Sequence, residues 1–400
     1  MLSGIKDRKR IRVAFLNLGS VEWAGGLHYL RNLLYAISVL EDKKIEPYVF
    51  VGNKVDEKLI EPIRPYARVI RSSIVERNRM VWFIWKIVFR LTGSNYVLNR
   101  LMKRHNIQVV SHSAIWGRGM PYKLINWIAD FQHLHLPAMF SVKEVAHRNK
   151  IFARFIRDSD CVVVSSEDAA GDLGRFIPGY ESKIRILNFV SQPKLTYCET
   201  DKSQQQEQQE IEERYSFEGK FFYLPNQFWR HKNHQTVFEA VNILKNGGCQ
   251  ILILCSGHMD VNNNKDYLEE LIEYIKLNNL ENNIRLLGLI DYAHVFLLMR
   301  YSIAVINPSF FEGWSSTVEE AKSMGKGMIL SEINVHREQD PPASEYFDPS
   351  DSQELAGILK RYWQEKDGGP DFSLEEKARK MLPERTRAFG LAYQDIVIGL

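Results

Sequence analysis

The sequence predicts an α/β chain made of two Rossmann-like, doubly wound parallel-sheet domains facing across a cleft. Three observations carry this. Short, continuous β-branched and apolar runs, such as residues 11–18, 160–166 and 303–306, read as strands covered on both faces. Each is followed by turn or capping residues and then by helical periodicity, the alternation that builds parallel sheets through right-handed crossovers. The plan is run through twice, on either side of a Gln-, Glu- and Ser-rich stretch at 191–213 that includes Gln204, Gln205 and Gln206. That stretch reads as an exposed linker entering a polar helix, which places the domains at 1–195 and 196–384. A last helix from residue 385 follows.

In the first domain, the strand at 11–18 runs into Gly19 and Gly25-Gly26, then into a helix carrying Leu30, Leu33, Leu34 and Ile37. Strand, glycine-rich loop and helix is the unit by which doubly wound folds approach phosphates, although the G-x-G-x-x-G spacing of dinucleotide binders is missing. Further strands are expected at 47–51 and 107–111. Residues 77–104 are densely aromatic with basic edges. They are too short to span a bilayer and suit either a packing helix or one lying on a membrane. A strand at 124–133 is expected to deliver Asp130, Gln132 and His133 at its carboxyl end, with His135 as the alternative in register. His133 and His135 show no third ligand for a metal. Residues 183–190 read as the domain's last strand.

In the second domain, a strand at 221–224 leads to a loop holding Asn226, Arg230 and Lys232, and a helix follows at 236–244. Strands at 250–255, 284–287 and 303–306 alternate with helices, and another strand follows at 328–331.

The composition, 45% apolar and 25% charged, is that of an ordinary globular protein, and no run approaches the roughly 18 apolar residues of a membrane span. The first apolar run is short, holds Arg12 and Asn17 and lacks a cleavage pattern, so it reads as a strand and the chain is expected in the cytoplasm. Four cysteines without a C-x-x-C pair indicate neither a zinc knuckle nor a disulfide framework. The net charge of +3 hides an asymmetry: residues 1–200 hold 31 Lys+Arg against 18 Asp+Glu, or +13, and the remainder carry −10. A basic half suits an anionic membrane surface better than nucleic acid, for which no recognised module is present.

The stretch around residues 303–321 joins a strand, a tight turn at Pro308 and Gly313, and a helix start at which Ser316 and Glu319 form a capping box. Such a crossing leaves free N–H groups and a positive dipole end beside Glu312, the geometry that captures phosphates. Glu320 stands eight positions after Glu312. A capping glutamate and a solvated helix glutamate are the common reading of either residue alone.

Taken together, Asn307-Pro308-Ser309, Glu312-Gly313, Glu320-Ala321 and residues 325–330 resemble the E-x7-E signature of family-4-type retaining glycosyltransferases of the GT-B fold. The resemblance runs from Gly25-Gly26 to the terminal helix, and its specific motifs lie in 221–340. It implies transfer of a sugar, hexose-type, from a nucleotide-diphosphate donor to a glycan or lipid-linked acceptor, without cofactor or required metal. Cell-surface polysaccharide or lipopolysaccharide biosynthesis at the inner face of a bacterial membrane is the expected setting. Glu312 would bind donor-sugar hydroxyls and Glu320 the ribose. His133 would contact the donor sugar, and Gly25-Gly26 would approach the phosphates. Lys232, with Gly313, Trp314 and the amides of Ser315, Ser316 and Thr317, would hold the diphosphate. The terminal helix would cross back onto the first domain.

One position departs from the family pattern. An Arg is expected six residues before the Lys, and Asn226 stands there instead, with Arg230 as the nearby substitute. An amide can donate a hydrogen bond to phosphate but cannot neutralise its charge. Two other classes share the fold: a nucleotide-sugar epimerase and a non-catalytic nucleotide-sugar-binding homologue. Gly325-Lys326-Gly327 lacks the spacing and Ser/Thr of a P-loop kinase.

Overall fold

The computed structural model describes residues 10–16, 24–76, 95–117, 119–193, 203–259 and 265–400. The chain divides into two compact units, residues 1–190 with 384–400, and residues 191–383. Each is built on one parallel sheet.

The sheet of the first unit comprises β1 (Ile11–Leu16), β2 (Ile45–Val51), β3 (Arg68–Arg71), β4 (Val109–Ser111), β5 (Lys123–Trp127), β6 (Cys161–Val164) and β7 (Ile184–Ile186), in the order β3-β2-β1-β4-β5-β6-β7. The second contains β8 (Phe222–Leu224), β9 (Ile253–Ser256), β10 (Ile284–Gly288), β11 (Val305–Asn307), β12 (Met328–Ser331) and β13 (Ser344–Phe347), in the order β10-β9-β8-β11-β12-β13. Each order reverses once, between β1 and β4 and between β8 and β11. At such a switch the loops leaving the carboxyl ends of neighbouring strands turn to opposite faces, which opens a crevice.

The continuous apolar runs follow from burial on both faces. In the second sheet Phe222, Leu224, Ile253, Cys255, Ile306 and Ile329 enter one core, and Tyr223, Leu254, Val305, Met328 and Leu330 enter the other. Each such side chain contributes about 1.5–3 kcal/mol on burial. Asn307 ends β11, fully buried, and is the first polar residue of the crevice.

Several expected elements move. The strand expected at 124–133 stops at Trp127; Asp130 Oδ1 then accepts from Gln132 N, and residues Gln132–His135 form a single helical turn. The strand at 303–306 shifts to Val305–Asn307, and that at 183–190 shrinks to Ile184–Ile186 after a 3₁₀ turn. Two edge strands, β3 and β13, gave no apolar signal, because they are mostly half-buried or exposed and carry Arg68, Arg71 and Glu345. Gly25 and Gly26 lie in the first turn of helix Ala24–Ser38 rather than in a loop. The rest of that loop, 17–23, and the aromatic segment at 77–94 lie outside the described residues.

The terminal helix is longer than expected, Phe372–Ile398, and passes through Pro383 at the boundary between the units. Its last part packs within the first unit. A Cβ on Gly390 would stand 2.4 Å from Ala36 O, so only glycine lets the helix lie this close to helix Ala24–Ser38. Gln394 fixes it further, accepting from Lys44 N at 2.8 Å and donating to Asp42 O at 3.1 Å.

Candidate functional site

The switch between β8 and β11 gathers most of the residues singled out in the second half. Two loops leave it, 225–233 after β8 and 308–315 after β11, and four bonds tie the first loop to the second and to the end of β11. Asn226 Nδ2 donates to Asn307 Oδ1 (3.0 Å), Asn233 Nδ2 to Pro308 O (3.0 Å), Phe310 N to His231 O (2.8 Å) and Lys232 Nζ to Glu312 Oε1 (2.6 Å). Asn233 suits its place because it adopts the left-handed conformation (φ 56°) that asparagine tolerates.

The Lys232–Glu312 ion pair is the electrostatic centre. The carboxylate is 8% exposed and the lysine side chain 16%. Ser309 Oγ lies 2.7 Å from the same Oε1 and 2.8 Å from Asn307 Oδ1. Burial pushes the Glu312 carboxyl up, but the Lys232 charge and hydrogen bond bring it below the usual carboxylate range. The carboxylate is therefore ionised at neutral pH. Burial also lowers His231 to about 3 and His336 to about 4, so both rings beside the pair are neutral.

The helix after the turn is Ser316–Met324, and its N-cap is Ser315, whose Oγ accepts from Val318 N at 3.4 Å. The cap thus falls one residue before the expected Ser316, and with Val318 at the third helical position it is a simple N-cap instead of the expected capping box. Ser316 is exposed, Thr317 is buried, and Gly313 and Trp314 are half-buried in the turn. The first i→i−4 bond of the helix is Glu319 N to Ser315 O. The amides of Ser316 and Thr317 precede it and are the ends an anion would meet.

Glu320 sits in the second turn, and Tyr292 OH donates to its Oε1 at 2.5 Å. Burial raises its pKa to about 7, and the Tyr292 bond partly offsets that rise. Tyr292→Phe removes the offset and moves the carboxyl higher. If ionised Glu320 holds the donor, the pH at which donor KM improves shifts upward and KM at neutral pH rises. A KM–pH profile of the two proteins across the neutral range checks this; superimposable profiles would take Glu320 out of donor binding.

Two expected phosphate ligands are placed elsewhere. Asn226 is 3% exposed and spends its amide on Asn307 and on Thr317, whose Oγ1 donates to Asn226 Oδ1 at 3.0 Å. It ties strand ends together instead of presenting a donor. A Cβ on Gly257 would come within 2.5 Å of Asn226 O, so this packing leaves no room for a larger neighbour. Arg230 turns to Glu270, with bonds of 2.8 and 2.7 Å, and stacks over Tyr267. Lys232 alone of the basic loop reaches Glu312.

His133, in the first unit, is 1% exposed, packs on Phe131, Phe140 and Phe152, and contacts Asn149 Oδ1 through Nε2 at 2.9 Å. Burial lowers its pKa. A strand end would have presented the ring; the helical turn folds it inward, so this geometry gives no support to contact with a substrate. His135 pairs with Asp172 (2.8 and 2.7 Å), and Asp168 joins them within 4.8 Å, the third ligand type that spacing did not reveal. Arg175, 2.6 Å from Asp172, already supplies a cation there.

Sequence reading named Ser309 only as part of Asn307-Pro308-Ser309 and missed Tyr292, which bonds Glu320, His336, which lies beside Glu312, and Gln339, which holds Ser315. At the other switch point it passed over His112, which follows β4 in the left-handed conformation (φ 52°), with Nε2 2.8 Å from Tyr29 OH and Nδ1 2.7 Å from Ser111 Oγ.

Residues 204–381 match the family described as Glycosyl transferases group 1. No curated protein matches the chain. Among solved structures, the chain is similar to Anabaena HepE in complex with UDP and glucose, at 14% identity over 98% of this chain and 100% of that one, with a TM-score of 0.69. It is similar as well to a glycosyltransferase from Rickettsia africae ESF-5 (15%, 97% and 99%, 0.65) and to sucrose-phosphate synthase from Thermosynechococcus elongatus (14%, 98% and 97%, 0.65). The fold is therefore that of the GT-B glycosyltransferases, as the signature implied. The group 1 match covers the unit that holds the Lys232–Glu312 pair.

Proposed function

We propose that the chain is a retaining, family-4-type glycosyltransferase that moves a hexose-type sugar from a nucleotide-diphosphate donor to a glycan or lipid-linked acceptor. The observation that carries this is the buried Lys232–Glu312 pair at the β8/β11 switch, beside the Ser315-capped helix end and within the group 1 match. Lys232 and the amides of Ser316 and Thr317 stabilise the departing diphosphate, the main electrostatic task of the reaction. Charge neutralisation falls to Lys232 and the helix dipole, so no metal is required. Glu312 uses Oε2 for a sugar hydroxyl, its Oε1 being engaged by Lys232 and Ser309, and its charge stabilises an oxocarbenium-like centre. Glu320 takes the ribose hydroxyls. The leaving phosphate assists the acceptor on the same face, so no protein nucleophile is needed.

UDP is the first donor base to test, because HepE binds it. The test is a thermal-shift and calorimetric screen of UDP, GDP, dTDP, ADP and CMP in EDTA, followed by transfer assays with the sugars of the selected base. Selective binding with transfer is expected. Selective binding with neither transfer nor donor hydrolysis would favour a binding homologue, and interconversion of the free donor sugar would favour an epimerase.

The acceptor side is proposed to meet an anionic membrane from the cytoplasmic face, supported by the +13 charge of residues 1–200. No helix of the described residues is long and apolar enough to cross a membrane. Flotation with anionic liposomes tests this, and absence of the protein from the floated fraction would remove it.

A further inference from the structure

We propose that Gln339 is a positioning residue, holding the first turn of helix Ser316–Met324 in the orientation that a donor diphosphate needs. Its role presupposes the reading above, that the diphosphate binds at this helix end.

Gln339 closes the short helix Asn334–Gln339 and is 1% exposed. Its side-chain amide pairs with the backbone of Ser315 in both directions, as a neighbouring strand would. Oε1 accepts from Ser315 N at 3.1 Å and Nε2 donates to Ser315 O at 3.0 Å. Nε2 also reaches Glu319 Oε1 at 3.3 Å. Ser315 is the residue on which the helix start depends. Its carbonyl accepts the first helical bond, and its hydroxyl caps Val318 N and accepts from Asn307 Nδ2 at 2.7 Å. Whatever orients the Ser315 peptide therefore orients the amides of Ser316 and Thr317 that follow it.

Only a carboxamide suits this position. It offers a donor and an acceptor side by side, whereas a carboxylate lacks the donor and an apolar side chain lacks both. Without it, the buried N–H of Ser315 loses its partner and its C=O keeps only the Glu319 N–H, which costs enough to make the turn rearrange. Nε2 also restrains the buried Glu319 side chain in the helix's first turn. The short helix braces the other half of the site as well. His336 Nδ1 bonds Ser331 O at 2.9 Å, Ser331 Oγ donates to Ser309 O at 2.6 Å, and Ser309 contacts Glu312.

The test compares UDP with UMP by calorimetry on wild type, Gln339→Met and Gln339→Glu; another base selected by the donor screen would replace uracil in both ligands. The wild type is expected to prefer the diphosphate. Each variant should lose about tenfold in diphosphate affinity, the scale of a misaligned helix-end contact, with monophosphate affinity unchanged. Equal weakening of both nucleotides would reveal a general structural role and overturn the positioning assignment, as would unchanged affinity for both. Should Gln339→Met fail to fold, Gln339→Glu, which keeps shape and acceptor, gives the same readout. A wild type that binds diphosphate with no selective loss in the variants sinks this role alone. One that binds no nucleoside diphosphate sinks the site reading and the role with it.

Discussion

Glu312→Gln is expected to lower turnover on the order of 10²–10³-fold while leaving donor affinity nearly unchanged. Glutamine keeps the shape of the side chain, and its carbonyl oxygen can still accept from Lys232 and Ser309, whose atoms lie 2.6 and 2.7 Å from Oε1. What disappears is the negative charge. That charge matters little to a neutral sugar in the ground state and much to the oxocarbenium-like centre formed as the diphosphate leaves, so the loss falls on kcat. Calorimetry of donor binding and single-turnover transfer at saturating donor separate the two. Unchanged turnover would remove Glu312 from the catalytic set.

Lys232→Met is expected to damage both binding and stability. Diphosphate affinity should fall by about two orders of magnitude, since a charge-assisted contact to phosphate is lost and Arg230 is committed to Glu270. Stability should fall by roughly 3–5 kcal/mol near neutral pH, because Glu312 is left buried without its counter-charge. The pH dependence identifies the cause. In the wild type the folded Glu312 pKa lies below its unfolded value, so its contribution is present above the ordinary carboxylate pKa and lost as pH falls. In the variant burial acts unopposed and the folded pKa lies above the unfolded one. Stability is then greatest in acid and declines as pH rises through the carboxylate range. The deficit against wild type should therefore widen from mildly acidic to mildly alkaline pH in urea melts. Adding Glu312→Gln should recover most of it. A deficit independent of pH would mean that lost packing, not the unpaired charge, is responsible.

Much of the second unit was legible in the chain because its signals are local. The runs at 221–224, 303–306 and 328–331 are apolar at every position, as a strand covered on both faces requires, and Pro308 and Gly313 mark the turn between strand and helix. The pairing of Lys232 with Glu312 was not legible: the resemblance gave the two residues separate roles, and only the fold brings their loops together. The first unit was read less well. Whether His133 ends a strand or enters a helical turn is a choice between local options of similar merit, and packing on Phe131, Phe140 and Phe152 decides it. The partners of Arg230 and Asn226 were not legible for a related reason: sequence places a side chain near a loop but does not say which partner satisfies it.

The sequence by itself determined the two-domain α/β plan and singled out Glu312, Glu320 and Lys232, because strand period, turn residues and motif spacing are properties of neighbours along the chain. Tertiary structure alone decided how those groups are held. Gln339 lies 24 residues from Ser315, Tyr292 lies 28 from Glu320, and Asn226 lies 81 from Asn307. Bonds across such separations exist only after the sheet has brought its strands into order. The burial that then sets the Glu320 carboxyl at about 7, and keeps Glu312 ionised beside Lys232, belongs to the folded crevice and not to any stretch of the chain.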